Sequence, residues 1–122
     1  MPLYSPHDAD EFEAHGSRFA SFVRSERGAS SLCAWRLEVA PGLQGVAHRP
    51  DREEVLLLLE GRLEVTLDGR RETAEAGAVV HVPADSEFRV DGGPDGAVAW
   101  VTTTPGLTAA IGDTTMSPPW AQ

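Results

Sequence analysis

The 122-residue chain contains neither lysine nor asparagine; all ten basic residues are arginine. Without lysine there is no Schiff-base amine and no anchor for pyridoxal phosphate, and without asparagine there is no N-glycosylation acceptor. The preferred reading of both absences is a GC-rich genome, which disfavours the codons for both residues, and only their chemical consequences are informative. Cys33 is the sole cysteine, so the chain forms no internal disulfide and no cysteine-based zinc knuckle. Its place in SLCAWRLEV, alternating with Trp35 and Leu37, points to a buried structural thiol rather than a nucleophile. No apolar run approaches the eighteen or so residues of a bilayer span, and the opening MPLYSPHDADEFEAH is too acidic and polar for a signal peptide. A cytoplasmic location is therefore the expectation. Positive charge is also scarce. The formal net charge of -9 argues against nucleic acid and anionic membrane surfaces as partners, because both are held chiefly by basic patches.

With 41% hydrophobic residues over this length, the expectation is one domain across 1–122, able to bury a single core or line one internal pocket. Residues 1–16 read as a polar leader, with His7 and His15 facing solvent, and 105–122 as an irregular tail. Between them, period-two patterns and turn signals dominate. SRFASFVRS suits either a strand or a short helix. SLCAWRLEV alternates, with Cys33, Trp35, Leu37 and Val39 on one face. EVLLLLEG is a continuous apolar run, and RLEVTLDGRRETAEAG reads as a hairpin turning at Asp68-Gly69 in a type I′ turn. AVVHVP, EFRV and AVAWVTTT give further strands, the last two separated by DGGPDG, whose glycine and proline content predicts a loop. About seven to nine short strands predict a closed or double-sheet all-β domain. The tail carries Leu107, Ile111, Met116 and Trp120, apolar side chains suited to packing outside the barrel, on a partner subunit or across a pocket mouth.

The chemistry-bearing segment is residues 42–61, GLQGVAHRPDREEVLLLLEG. Gly42, His48, Glu54 and Gly61 fall in register with the first motif of the cupin family, which this segment resembles; Pro50 stands where the motif has its second histidine. Downstream, in GAVVHVPADSEFRVDG, Gly77 and Pro83 match the second cupin motif, whereas Asp85 stands at its glycine, Phe88 at its metal histidine and Gly92 at its asparagine. The resemblance implies a jelly-roll β-barrel, commonly a homodimer, with an internal site for a small molecule. In the family that site holds iron, manganese, zinc, nickel or copper. A catalytic zinc normally takes three protein ligands, and a non-haem iron(II) oxygenase two histidines and a carboxylate. Here His48 and Glu54 supply two, and Pro50 and Phe88 carry no donor atom. His81 and Asp85 are the nearby replacements, although a histidine bonded on the outer face and an aspartate bonding within its turn are the expected readings of each. Glu53 adds an ambiguity, since a one-residue slip would turn it inward in place of Glu54.

Three functional classes follow. In the favoured one no cofactor is needed. His48 and Glu54 act as general base and general acid on a hydrophobic or aromatic metabolite, in an isomerisation, cyclisation, dehydration or decarboxylation, with Phe88, Trp35, Trp100 and Pro50 forming the walls. In the second, a divalent transition metal is held by His48, Glu54 and a third group such as His81, giving a dioxygenase-type enzyme. In the third, the barrel binds a metabolite without turnover, for sensing or storage. The pair also has a structural reading, in which His48 and Glu54 merely hydrogen-bond each other.

Overall fold

The structure, a computed structural model, describes residues 2–122. These form ten strands, β1 (Asp10–Ala14), β2 (Ser17–Val23), β3 (Cys33–Val39), β4 (Arg49–Pro50), β5 (Glu54–Leu67), β6 (Arg70–Glu75), β7 (Val79–Val82), β8 (Phe88–Thr103), β9 (Ala109–Ile111) and β10 (Thr114–Met116), with three short 3₁₀ turns. All strand pairing is antiparallel, in a large sheet ordered β1-β2-β3-β8-β5-β6 with β7 also on β5, and a small one ordered β10-β9-β4. The fold is the jelly roll. Among the described residues no helix is long and apolar enough to cross a membrane.

Side-chain alternation sets which residues face the interior. Along β3, Cys33, Trp35, Leu37 and Val39 are buried as their spacing predicts. The ambiguous SRFASFV segment is strand β2, paired with both β1 and β3. In β5, Glu54, Leu56 and Leu58 point inward while Val55, Leu57 and Leu59 lie on the outer surface. The apolar run EVLLLL is thus an ordinary half-buried strand rather than a segment covered on both faces.

Two long strands carry the architecture. The first part of β5 pairs with β7 and the end of β8, the second part with β6 and the start of β8, with bulges at Leu58/Glu60 and Gly61/Leu63. Gly61 sits at this corner with φ +77, and a Cβ there would collide with the Gly96 carbonyl, so the motif glycine serves the bend. The hairpin between β5 and β6 turns at Asp68 (φ 49) and Gly69 (φ 84), the two left-handed residues that a type I′ turn requires.

Three expectations need correction. DGGPDG does not separate two strands; it forms an irregular stretch within β8, between the Leu63↔Gly92 and Gly61↔Ala97 pairs. The leader contains β1, whose Phe12 packs near Trp120 at 6.3 Å between ring centroids. The tail is not irregular throughout: β9 and β10 form a hairpin, and β9 pairs with β4 through Pro50↔Ala109.

The candidate site in the barrel

An internal cavity of about 120 Å³ opens among the inner faces of the strands. Trp35, Leu37, Leu56, Phe88, Val90 and Val101 line it. The tail closes one side with Leu107, Ala109, Ile111, Met116, Pro118 and Trp120. Of the places open to the tail, across the pocket is the one observed. Trp120 stacks on Phe19 with centroids 3.7 Å apart, and its carbonyl accepts from the Ser21 hydroxyl at 3.3 Å and the Cys33 thiol at 3.4 Å. Cys33 is fully buried, and burial pushes its thiol up to about 11, so it remains a packed and inert group.

His48 reaches the cavity from the loop before β4. That loop is tied down by Gly42 N–H to the Gly93 carbonyl at 2.9 Å, Gly92 N–H to the Leu43 carbonyl at 2.8 Å and Gly45 N–H to the Asp91 carboxylate at 2.8 Å. Gly45 lies so close to β8 that a Cβ would collide with the Val90 carbonyl. The His48 backbone then exchanges both hydrogen bonds with Phe88, at 2.9 and 2.7 Å. The first-motif histidine therefore stands directly opposite the residue that replaces the second-motif histidine, with the two rings 5.5 Å apart.

Both ring nitrogens of His48 have defined roles. Nδ1 lies 2.9 Å from the Val46 carbonyl, and a carbonyl only accepts, so Nδ1 carries the proton. Nε2 is left with its lone pair and has no partner among the described residues. Burial lowers the His48 pKa from its ordinary 6.5, outweighing the Val46 hydrogen bond, which acts the other way; the charge of His15 on the cavity border lowers it further. The ring is therefore neutral at and above neutral pH.

Glu54 opens β5 opposite Val82, is only 6% exposed, and its carboxyl makes no hydrogen bond among the described residues. Burial alone pushes it up from 4.5 to about 7. An acid with no counter-charge in an apolar cavity keeps its proton, because the ionised form would lose its hydration without compensation. The environments thus reverse the usual order of a histidine and a glutamate. Just below pH 7 this cavity holds a neutral imidazole and a carboxyl group that still carries its proton.

Most of the side chains singled out from sequence come together here: His48, Glu54, Phe88, Trp35 and Pro50 all line the cavity. Glu53 is resolved against, since it faces outward and meets His81 on the surface at 2.6 Å. His81 pairs with Val55 on the outer face, and exposed Asp85 occupies a turn at φ 66, so neither reaches His48. Trp100 is a correction. It alternates with buried Ala99 and Val101, which puts it on the outer face, 5.8 Å from Phe22 and away from the cavity. The structural reading of the pair also fails, because His48 bonds Val46 rather than Glu54. Two contributors had no sequence signal: His15, from the β1–β2 turn, and Phe19.

The metal that the resemblance implies does not fit this donor set. Among the described residues no three His, Cys, Asp or Glu side chains converge where a metal ion could be held. His48 and Glu54 are one ligand short of the usual minimum, and Phe88, its ring centroid 5.5 Å from that of His48, carries no donor atom.

Comparison with known proteins agrees with the fold. The profile of the family described as Cupin domain matches residues 35–104. The polyketide cyclase RemF from Streptomyces resistomycificus has a TM-score of 0.78 against this chain, with 17% identity, covering 97% of this chain and 85% of its own. A sugar phosphate isomerase from Silicibacter pomeroyi gives 0.74, 16% identity, and coverages of 96% and 88%. Among curated proteins, the endoribonuclease YbeY of Myxococcus xanthus is 35% identical over 80 residues, 63% of this chain; the chain spans only 27% of its length.

Proposed function

We propose that this chain, which belongs to the cupin family, is a small-molecule enzyme that moves protons with His48 and Glu54 and needs no metal. The observation that carries the reading is the unpartnered, buried Glu54 carboxyl in the same cavity as a His48 ring whose tautomer is fixed by Val46. His48 Nε2 is the base and Glu54 the acid, the imidazole being neutral and the carboxyl keeping its proton up to about 7.

For an isomerisation the bookkeeping is short. His48 Nε2 takes a proton from the carbon beside a substrate carbonyl while Glu54 gives its proton to the carbonyl oxygen, leaving an enol. Where a neighbouring double bond makes that enol a dienol, reprotonation at its far carbon by His48, with the enol proton returned to Glu54, completes the shift and restores both groups. The apolar walls exclude water and so protect the enol. In an aldol-type cyclisation His48 takes the proton from the attacking carbon and Glu54 protonates the attacked carbonyl oxygen; in a dehydration Glu54 protonates the departing hydroxyl. In both, the proton on His48 then passes to Glu54. Similarity in fold to a polyketide cyclase and a sugar phosphate isomerase makes this class of chemistry plausible, but at 16–17% identity it carries no substrate. The ribonuclease name of the Myxococcus relative attaches to a protein of which this chain spans 27%, and the net charge of -9 disfavours RNA.

Elemental analysis of protein purified without chelators tests the reading. Iron, manganese, zinc, nickel and copper together should total well under one equivalent per chain. A stoichiometric metal that is lost in Glu54→Gln would replace this reading with the metal-dependent one.

A further inference from the structure

We infer that the cavity takes an uncharged, single-ring hydroxylated molecule, a phenol or cyclic enol, whose O–H donates to Glu54. This rests on the reading of His48 and Glu54 as the working pair and specifies what they act on. Size is the first constraint. An apolar cavity of ~150 Å³ accommodates one benzene ring, and the space here, about 120 Å³, is somewhat smaller, so a single ring is the upper limit. A fused second ring has to displace the tail, which is held by the Trp120 stack and the β4–β9 pairing.

Charge is the second constraint. No arginine lines the cavity, and the chain has no lysine. A phosphate or carboxylate would enter with only the exposed His15 at the border as a counter-charge, beside an acid that repels it once ionised, at a desolvation cost that apolar walls cannot offset. That separates this site from one for sugar phosphates. A protonated amine faces the opposite problem. It would force Glu54 to ionise, and no described residue hydrogen-bonds its carboxyl; the unpartnered buried donor on the cavity wall is the single N–H of Trp35.

The third constraint is polarity. The walls offer aromatic and aliphatic surface from Trp35, Phe88, Leu56 and Val101, with Glu54, His48, Ser17 and the unpartnered Trp35 N–H as polar groups and His15 at the border. A hydroxyl on a single ring meets Glu54 while the ring packs against the aromatic walls. The same hydroxyl-bearing ring system is the enol form that a proton-shuttling site would produce or consume.

Calorimetric titration of the full chain at pH 6.5 tests the inference with phenol, benzoate, benzylamine, 1-naphthol and toluene. Phenol should bind at least about tenfold more tightly than benzoate, benzylamine or 1-naphthol, and Glu54→Leu should weaken phenol by about tenfold while sparing toluene. Retained toluene binding shows that the variant is folded with its cavity intact. Benzoate, benzylamine or 1-naphthol matching phenol would overturn the ligand class, as would phenol binding unchanged in Glu54→Leu or absent up to about 10 mM. Those failures leave the metal-free proton chemistry standing, whereas stoichiometric metal would remove that reading without altering the phenol result.

Discussion

Glu54→Gln is expected to raise the melting temperature at pH 8 by roughly 10 °C and to leave it unchanged at pH 4. The folded carboxyl titrates at about 7 against 4.5 when exposed, so the native state holds its proton more firmly than the unfolded chain does. Under that condition stability falls as pH rises. The favourable state is fully present below 4.5, where both forms are protonated, and is lost progressively up to about 7. At about 1.4 kcal/mol per pH unit the ionised acid costs the fold about 3 kcal/mol. Glutamine removes the charge at nearly constant shape, and its amide retains a smaller polar cost, leaving a gain of about 2 to 3 kcal/mol at pH 8. Thermal melts followed by circular dichroism across pH 4–8 measure it. An equal gain at both ends of the range would mean that ionisation of Glu54 is not the source. A side chain that destabilises the fold this much is a candidate for function, because an ordinary core position would hold leucine.

Trp120→Ala is expected to cost about 3 to 5 kcal/mol. The indole is 8% exposed, stacks on Phe19 and packs against Phe12, and it anchors the segment whose Leu107, Ala109 and Met116 form one cavity wall. Its removal opens that wall, so water should reach Glu54 and the fall in stability between pH 4.5 and about 7 should shrink. Denaturant unfolding at pH 5 and pH 8 reads both effects. A loss below about 1 kcal/mol would show that the tail is dispensable to the barrel and contributes no wall.

What could be read from the sequence tracks where period-two alternation is unbroken. Cys33 to Val39 and the hairpin at Asp68-Gly69 were legible because each residue's face follows from its neighbour's. The spacing from His48 to Gly61 selected Glu54 over Glu53, and the structure turns Glu53 outward to His81. The irregularity at residues 93–96 broke the pattern. Phe88 faces inward before it and Ala97, Ala99 and Val101 after it, so parity reverses within one strand and Trp100 is carried to the outer face. The place of the tail was not legible for a different reason. Its apolar residues follow no single period, and only the three-dimensional pairing of Ala109 with Pro50 decides which of them reach the cavity. The acid–base inversion also lay beyond the sequence, since it depends on how completely Glu54 is buried and on the Val46 carbonyl that fixes the His48 tautomer.

The inverted pair can be observed without any substrate. Carbon-detected NMR of the Glu54 side-chain carboxyl and nitrogen-detected NMR of the His48 ring, titrated from pH 3 to 9, report both protonation states in the intact chain, with Glu54→Gln and His48→Ala providing the assignments. The predicted result is a Glu54 midpoint near 7 and a His48 midpoint below 6.5, with Nδ1 protonated throughout. A Glu54 midpoint near 4.5 with His48 at or above 6.5 would contradict the assignment of Glu54 as acid and His48 as base.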